Sequence, residues 1–392
     1  MKNKYYLQRF ILTIILFTFG MVLSGAFVNI YIWKLKSNFS LIVQYLISTY
    51  ATVPFIFYIC GYIGMRIDRI SIYKIGIIFH ALFYLFVLLL RENITDNLII
   101  TGILYGIAMG FYWFGYHILT IDYTEIGKRE KFYATTSIIG AVSSMLGPLI
   151  SGFIIHILPD LKGYYVIFAI SSFLMLVSVG IVSPLKSTPI KKPYKIEDLI
   201  FTKNKKWFKT MIGYFFLSGK DAVSGFLISI LVVKTTGSEF TFGKLAFLIS
   251  FISVLTSYLL GKFSKLEMRS NYVLTGVIIY FLSVFILVYK INFHTLIIYS
   301  ILASIAEILI RIPFSAYAMD LISLDANINE RKMEYIVARD VPIAIGRITA
   351  LIIFIIFLKY FNINAIKMIL VLISTFPFAI YWAMYRFGKD VR

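Results

Sequence analysis

Twelve apolar runs, each long enough to cross a bilayer, constrain this chain more than any other feature. They cover 10–33, 41–65, 72–90, 98–121, 132–157, 164–183, 208–233, 241–261, 271–289, 294–319, 335–358 and 363–385, and are called spans one to twelve. A helix needs about 20 apolar residues to cross the hydrocarbon core. Lipid offers no water to unpaired peptide groups, so a spanning run satisfies them internally as a helix. Composition agrees: 60% of the 392 residues are hydrophobic and 15% are charged, against about 25% charged in a soluble domain. The expected class is an all-α membrane protein embedded in a lipid bilayer.

The net charge of +19 raises the question of nucleic acid. The basic residues are scattered through short loops and form no basic domain, so no nucleic-acid partner is expected. Their distribution instead orients the chain. Loops on the side of the N-terminus hold 25 Lys and Arg, and the opposite loops hold 9. Basic loops stay inside, which puts both termini in the cytoplasm and the chain in the cell's inner (cytoplasmic) membrane as a multi-pass protein. The run 10–33 is too long for a signal-peptide core and has no small-residue cleavage site, so it reads as span one. The longest loop, from Pro184 to Trp207, carries three prolines and a cluster of lysines. It divides the chain into an N-terminal six-helix bundle (1–183), a basic cytoplasmic linker (184–207) and a C-terminal six-helix bundle (208–392). The single cysteine, Cys60, excludes an intrachain disulfide and reads as packing.

The halves repeat with an offset of 200 residues. Ser24-Gly25 matches Ser224-Gly225, Lys34 matches Lys234, and Gly61, Arg69 and Gly76 match Gly261, Arg269 and Gly276. Farther on the offset drifts, so that Arg129 and Tyr133 correspond to Arg331 and Tyr335. Two parallel six-span repeats form a transporter architecture with its substrate site near the midplane.

Two local motifs refine this. The loop after span two reads Gly64-Met-Arg-Ile-Asp68-Arg69-Ile-Ser-Ile-Tyr-Lys74. Span five carries Gly140, Gly147-Pro148 and Ser151-Gly152. The first resembles the Gly-x-x-x-Asp-Arg-x-Gly-Arg-Lys/Arg signature of the major facilitator superfamily, with Ser71 and Ile72 in place of its later glycine and first arginine. The second resembles the Gly-Pro-x-x-Gly-Gly element of the drug-antiporter-like branch, with Ser151 in place of one glycine. The resemblance implies two pseudo-symmetric six-helix bundles, a monomer, and alternating access to a cavity lined by spans 1, 4, 7 and 10. It also implies a conformational gate. Asp68 would cap span eleven, Arg69 would pair with Asp122 or Glu125, and Gly147-Pro148 would shape span five. Arg339-Asp340, at the cytoplasmic end of span eleven, is assigned to the same gate.

Four ionisable residues lie in the middle of apolar runs: Lys220-Asp221 in span seven, and Glu307 and Arg311 in span ten. Each costs on the order of 3 kcal/mol at a bilayer centre on insertion scales. They should therefore face water, one another or a ligand. Glu307 and Arg311 are four apart and can pair along one face. Lys220 and Asp221 point about 100° apart and cannot both face the axis squarely. Mutual neutralisation is one reading. The other is that Asp221 or Glu307 exchanges a proton while Lys220 or Arg311 orients an anionic group or tunes the acid. Arg347 in span eleven has no obvious partner in the sequence.

Span four carries Gly102-x3-Gly106-x3-Gly110, a small-residue face, followed by Tyr112, Trp113, Tyr116 and His117. These four are candidates for an aromatic substrate wall, and His117 for a proton carrier; packing plus an interfacial belt is the alternative. No zinc-type His pair, phosphate-cradling glycine loop or nucleophile elbow is present. No cofactor, metal or catalytic residue is expected. The resulting expectation is a secondary transporter exporting a small amphipathic or aromatic molecule in exchange for protons. Uptake of a polar nutrient or organic anion, lipid flipping and non-transporting sensing are the alternatives.

Overall fold

The structure is a computed structural model that describes residues 2–64, 66–123, 129–185, 187, 197–200, 204–263, 265–323, 328–361 and 364–385. Every regular element in the described residues is helical. Twelve helices among them are long and apolar enough to cross a membrane. Their limits differ from the expected ones by a few residues, and several are longer: span one runs Tyr5–Lys36, span seven Lys205–Thr236 and span ten Phe293–Ile322, while span eleven is shifted to Val337–Phe361. The extra turns are the polar ends that hydropathy alone excludes. Span twelve is two helices, Ala365–Thr375 and Pro377–Met384, hinged at Phe376 because Pro377 has no N–H to continue the ladder.

The chain divides into two compact units. Residues 1–194 and 238–247 form the first, and residues 195–237 and 248–392 the second. The first residues of span eight (Glu239–Phe263) therefore group with the N-terminal spans. Close backbone approach explains why. A Cβ on Gly152 of span five would lie 2.6 Å from the Glu239 carbonyl oxygen, and one on Gly243 would lie 2.5 Å from that of Pro148. Ser151, which departs from the glycine pattern, donates to the Leu23 carbonyl at 2.5 Å and ties span five to span one.

Also in the first unit, Gly102, Gly106 and Gly110 meet Tyr45, Thr49 and Ile56, so the small-residue face of span four packs on span two. Gly76 packs on span four and, in the second unit, its repeat mate Gly276 packs on span ten. Cys60 is buried and unbridged.

In the second unit, the short helix Glu197–Ile200 belongs to the linker and buries Leu199 against Trp207, Met211, Ile322 and Tyr335. The Trp207 indole donates to the Leu199 carbonyl at 3.2 Å. Spans seven and eleven cross tightly beside this cluster. Ser218 Oγ donates to the Ile343 carbonyl at 2.9 Å, and a Cβ on Gly346 would lie 2.0 Å from the Phe215 carbonyl oxygen. Neither backbone has room to yield. Gly346→Ala should therefore destabilise the protein by about 1–3 kcal/mol, as overpacking does. Thermal unfolding of the purified variant checks this, and Gly225→Ala, where a Cβ meets nothing within 4 Å, is the neutral comparison.

Candidate functional site

Lys220 and Asp221 stand at the midpoint of span seven, and Glu307 stands at the midpoint of span ten. At 1.5 Å per residue, roughly 23 Å of helix lies on either side of each. The structure joins all four central charges, within the second unit, into a closed ring. Lys220 Nζ reaches Asp221 Oδ1 at 2.9 Å and also pairs with Glu307. Arg311 Nη2 reaches Asp221 Oδ2 at 2.6 Å, and its Nε donates to Glu307 Oε1 at 2.5 Å. Each base touches both acids and each acid touches both bases.

The ring is asymmetric in its access to the outside. The Lys220 side chain is 3% exposed, Asp221 and Glu307 are 29% and 27%, and Arg311 is 45%. Lys220 also lies over the Tyr280 ring, 5.0 Å from its centroid. Its long stem lets it reach inward acids although its Cα points about 100° away from that of Asp221. Lys220 is thus the sealed end of the ring and Arg311 the open end.

Asp221 and Arg311 open on a cavity of about 220 Å³. One face of each of three helices lines it. Span seven supplies Tyr214, Leu217, Ser218 and Asp221; span ten supplies Arg311 and Ser315; span eleven supplies Arg339, Ile343 and Arg347. These are positions i, i+3, i+4, i+7 on span seven and i, i+4, i+8 on span eleven, the spacings that keep side chains on one face. The tight crossing at Gly346 lies on the same stretch of span eleven as Arg339, Ile343 and Arg347. Arg339, expected at a gate, thus stands in this cavity. Its acid neighbour Asp340 is 3.7 Å away, and its guanidinium lies 5.6 Å from the Tyr214 ring centroid.

The other expected residues fall elsewhere. Tyr112 is buried and stacks on Phe17, in the core of the first unit. Trp113, Tyr116 and His117 are partly exposed and cluster together, with Trp113–Tyr116 centroids 5.6 Å apart. His80 is fully buried, with Nδ1 2.8 Å from the Gly76 carbonyl. Asp68 Oδ1 accepts from the Ser71 N–H at 2.7 Å, so it caps the start of span three. Gly64 ends span two, and Gly147 packs on Val22 and Leu23 of span one. The side chain of Asp122 and residue Glu125 lie outside the described residues, so the expected partner of Arg69 is not on view. Its repeat mate Arg269 does bind an acid near the end of span ten, Asp320, at 2.5 Å.

One polar cluster had no sequence signal beyond an acid at a helix start. Glu239 is buried, accepts from Lys34 Nζ at 2.7 Å and accepts from the Tyr164 hydroxyl at 2.8 Å. All three belong to the first unit.

The ring predicts strong coupling between its members. Lys220→Met leaves two carboxylates facing one guanidinium and should cost on the order of 3 kcal/mol, as breaking a buried pair does. Adding Glu307→Gln restores charge balance through Arg311 and Asp221. Unfolding midpoints of the two single variants and the double should show the double more stable than Lys220→Met alone; strictly additive losses would mean the four charges do not act as a unit.

Residues 9–325 match the model of the Major Facilitator Superfamily. The chain is 30% identical over 341 residues to the uncharacterized protein YqgE of Bacillus subtilis (strain 168), covering 86% of this chain and 79% of that one. Its fold is similar to that of a variant of the nucleoside transporter NupG, with a TM-score of 0.70, 13% identity and coverage of 98% and 100% of the two chains. It is also similar to a bacterial homologue of the iron transporter ferroportin in its inward-facing state, with a TM-score of 0.69, 12% identity and 98% of each chain covered. At such identities the solved structures speak for the fold alone. The span count, the repeat and the family match across 9–325 agree, and this chain belongs to the Major Facilitator Superfamily.

Proposed function

We propose that the chain is a secondary active transporter that moves a small molecule by alternating access, and that the four-charge ring couples this movement to protons. The observation that carries the reading is a closed, charge-neutral ring at the midpoints of two membrane spans, opening at Arg311 and Asp221 on a polar cavity. A ring with no task beyond neutralising itself contributes little that apolar side chains would not, since desolvation offsets most of the attraction. A ring that opens can do work. When Asp221 or Glu307 takes a proton, one carboxylate faces two cations, and Arg311 is released toward the cavity. When the proton leaves, the ring closes and Arg311 is withdrawn.

Export in exchange for protons is the proposed direction, supported by the Gly147-Pro148 element in span five. The protein acts as a monomer in the cytoplasmic membrane, with both termini on the cytoplasmic side, as the basic loops suggest. A non-transporting sensor would bind ligand without moving it.

Proteoliposomes holding the purified chain, an imposed pH gradient and a defined pool of small solutes test the reading by mass spectrometry of the trapped contents. At least one solute should move against its gradient only while the pH gradient lasts. Asp221→Asn or Glu307→Gln should reduce that gradient-driven movement by about 10-fold or more, in the range of a lost charged partner. Movement that ignores the pH gradient, or that survives in both variants, would contradict the coupling role.

A further inference from the structure

The edge of the ring that faces the cavity is itself a neutral ion pair. Of the four ring members, Asp221 and Arg311 line the cavity, and their side chains meet at 2.6 Å. Lys220 and Glu307 flank that pair from within the ring, Lys220 on Asp221 and Glu307 on Arg311. One cation and one anion thus already lie antiparallel to the Asp221–Arg311 pair. The pair has capacity for a second such set. An ionised carboxylate accepts several hydrogen bonds, and a guanidinium has more donors than Nε and Nη2. Arg311 spends Nε on Glu307 and Nη2 on Asp221, and its Nη1 enters no hydrogen bond among the described residues. Arg339 and Arg347, also on the cavity wall, have partners of their own.

From this geometry we propose that the substrate is a small zwitterion, an α-amino acid with an apolar side chain. Its ammonium sits on Asp221, in the role that Lys220 has within the ring. Its carboxylate sits on Arg311, in the role of Glu307. The ligand closes a second four-charge ring on the shared Asp221–Arg311 edge and leaves the first intact. An α-amino acid carries both charges on one carbon, as close together as a pair in contact requires. Asp221 stands at the midpoint of span seven, where an uncompensated charge is costly. A zwitterion adds no net charge there, whereas a plain carboxylate or amine does. Leu217, Ile343 and the Tyr214 ring form an apolar side to the same cavity, which receives the side chain. A volume of about 220 Å³ equals about seven water volumes at ~30 Å³ each, which sets the ligand near the size of leucine or phenylalanine.

This assignment rests on the transporter reading and names the substrate class for the same cavity. Its test needs no gradient. Leucine and phenylalanine, each beside its amide (a cation) and its N-acetyl form (an anion), are titrated by calorimetry into the purified full-length chain in detergent. At least one amino acid should bind, and more tightly than both of its derivatives by roughly 10-fold or more, the scale of a lost hydrogen bond to a charged group. Asp221→Asn and Arg311→Gln should each weaken it by a similar factor. If either single variant fails to fold, the double variant keeps the neutral Lys220–Glu307 pair and should lose the preference for the zwitterion. Lys262→Gln, exposed at the end of span eight, should leave binding unchanged.

Equal or tighter binding of the amide or the N-acetyl form, unchanged affinity in the Asp221 and Arg311 variants, or no binding of either amino acid would overturn the proposal. Amino-acid binding without proton-coupled flux would sink the coupling role and leave this assignment standing. Proton-coupled flux of a solute that carries no zwitterion, with no amino acid bound, would do the reverse.

Discussion

A charge placed halfway along a membrane helix is costly against lipid, and this constraint organises the second unit of the protein. Lys220, Asp221, Glu307 and Arg311 meet it collectively. Four charges that would each be costly in lipid form a ring in which every member touches two opposite partners. The ring needs spans seven and ten side by side at their midpoints, with one side left open. The geometry of the surrounding helices follows from that need.

The open side is maintained by span eleven. Gly346 lets its backbone approach Phe215, and Ser218 fastens the same crossing through the Ile343 carbonyl. Held there, the helix presents Arg339, Ile343 and Arg347 to the cavity. A side chain larger than hydrogen at position 346 would push the arginine face away from Arg311. The path from sequence to chemistry thus runs through one glycine contact. In the first unit, Glu239 shows the same economy on a smaller scale, satisfied by Lys34 and Tyr164.

Much of the fold was legible because membrane helices are written locally. Hydropathy over about 20 residues places each span without reference to any other, and Gly76 and Gly276 advertise the repeat. The pair Glu307–Arg311 was also legible, being four apart on one helix. Closure of the ring across two helices was not. Nothing in the sequence says that Lys220 curls back to reach the acids its own neighbour faces. Arg339 reads as a gate residue because it sits near a helix end; that it also lines the cavity beside Arg311 is not legible. Tyr112 reads as a cavity aromatic from its neighbours, but the stack on Phe17 buries it. Asp68 also accepts the N–H of Ser71, a local bond that the motif does not single out. In each case the added fact is an interhelical contact or a short local bond, and neither has a period in the sequence.

The central claim is that span ten turns its charged face to a solvent-filled cavity and not to lipid. Reactivity toward a membrane-impermeant, water-soluble thiol reagent tests it most directly, because the one native cysteine, Cys60, is buried. Ser315 lines the cavity one turn from Arg311, whereas Ile312 is exposed on the apolar outer face of the same helix. In native membranes Ser315→Cys should react readily and Ile312→Cys should stay unmodified. Inert thiols at both positions, or reaction at Ile312→Cys alone, would contradict the account.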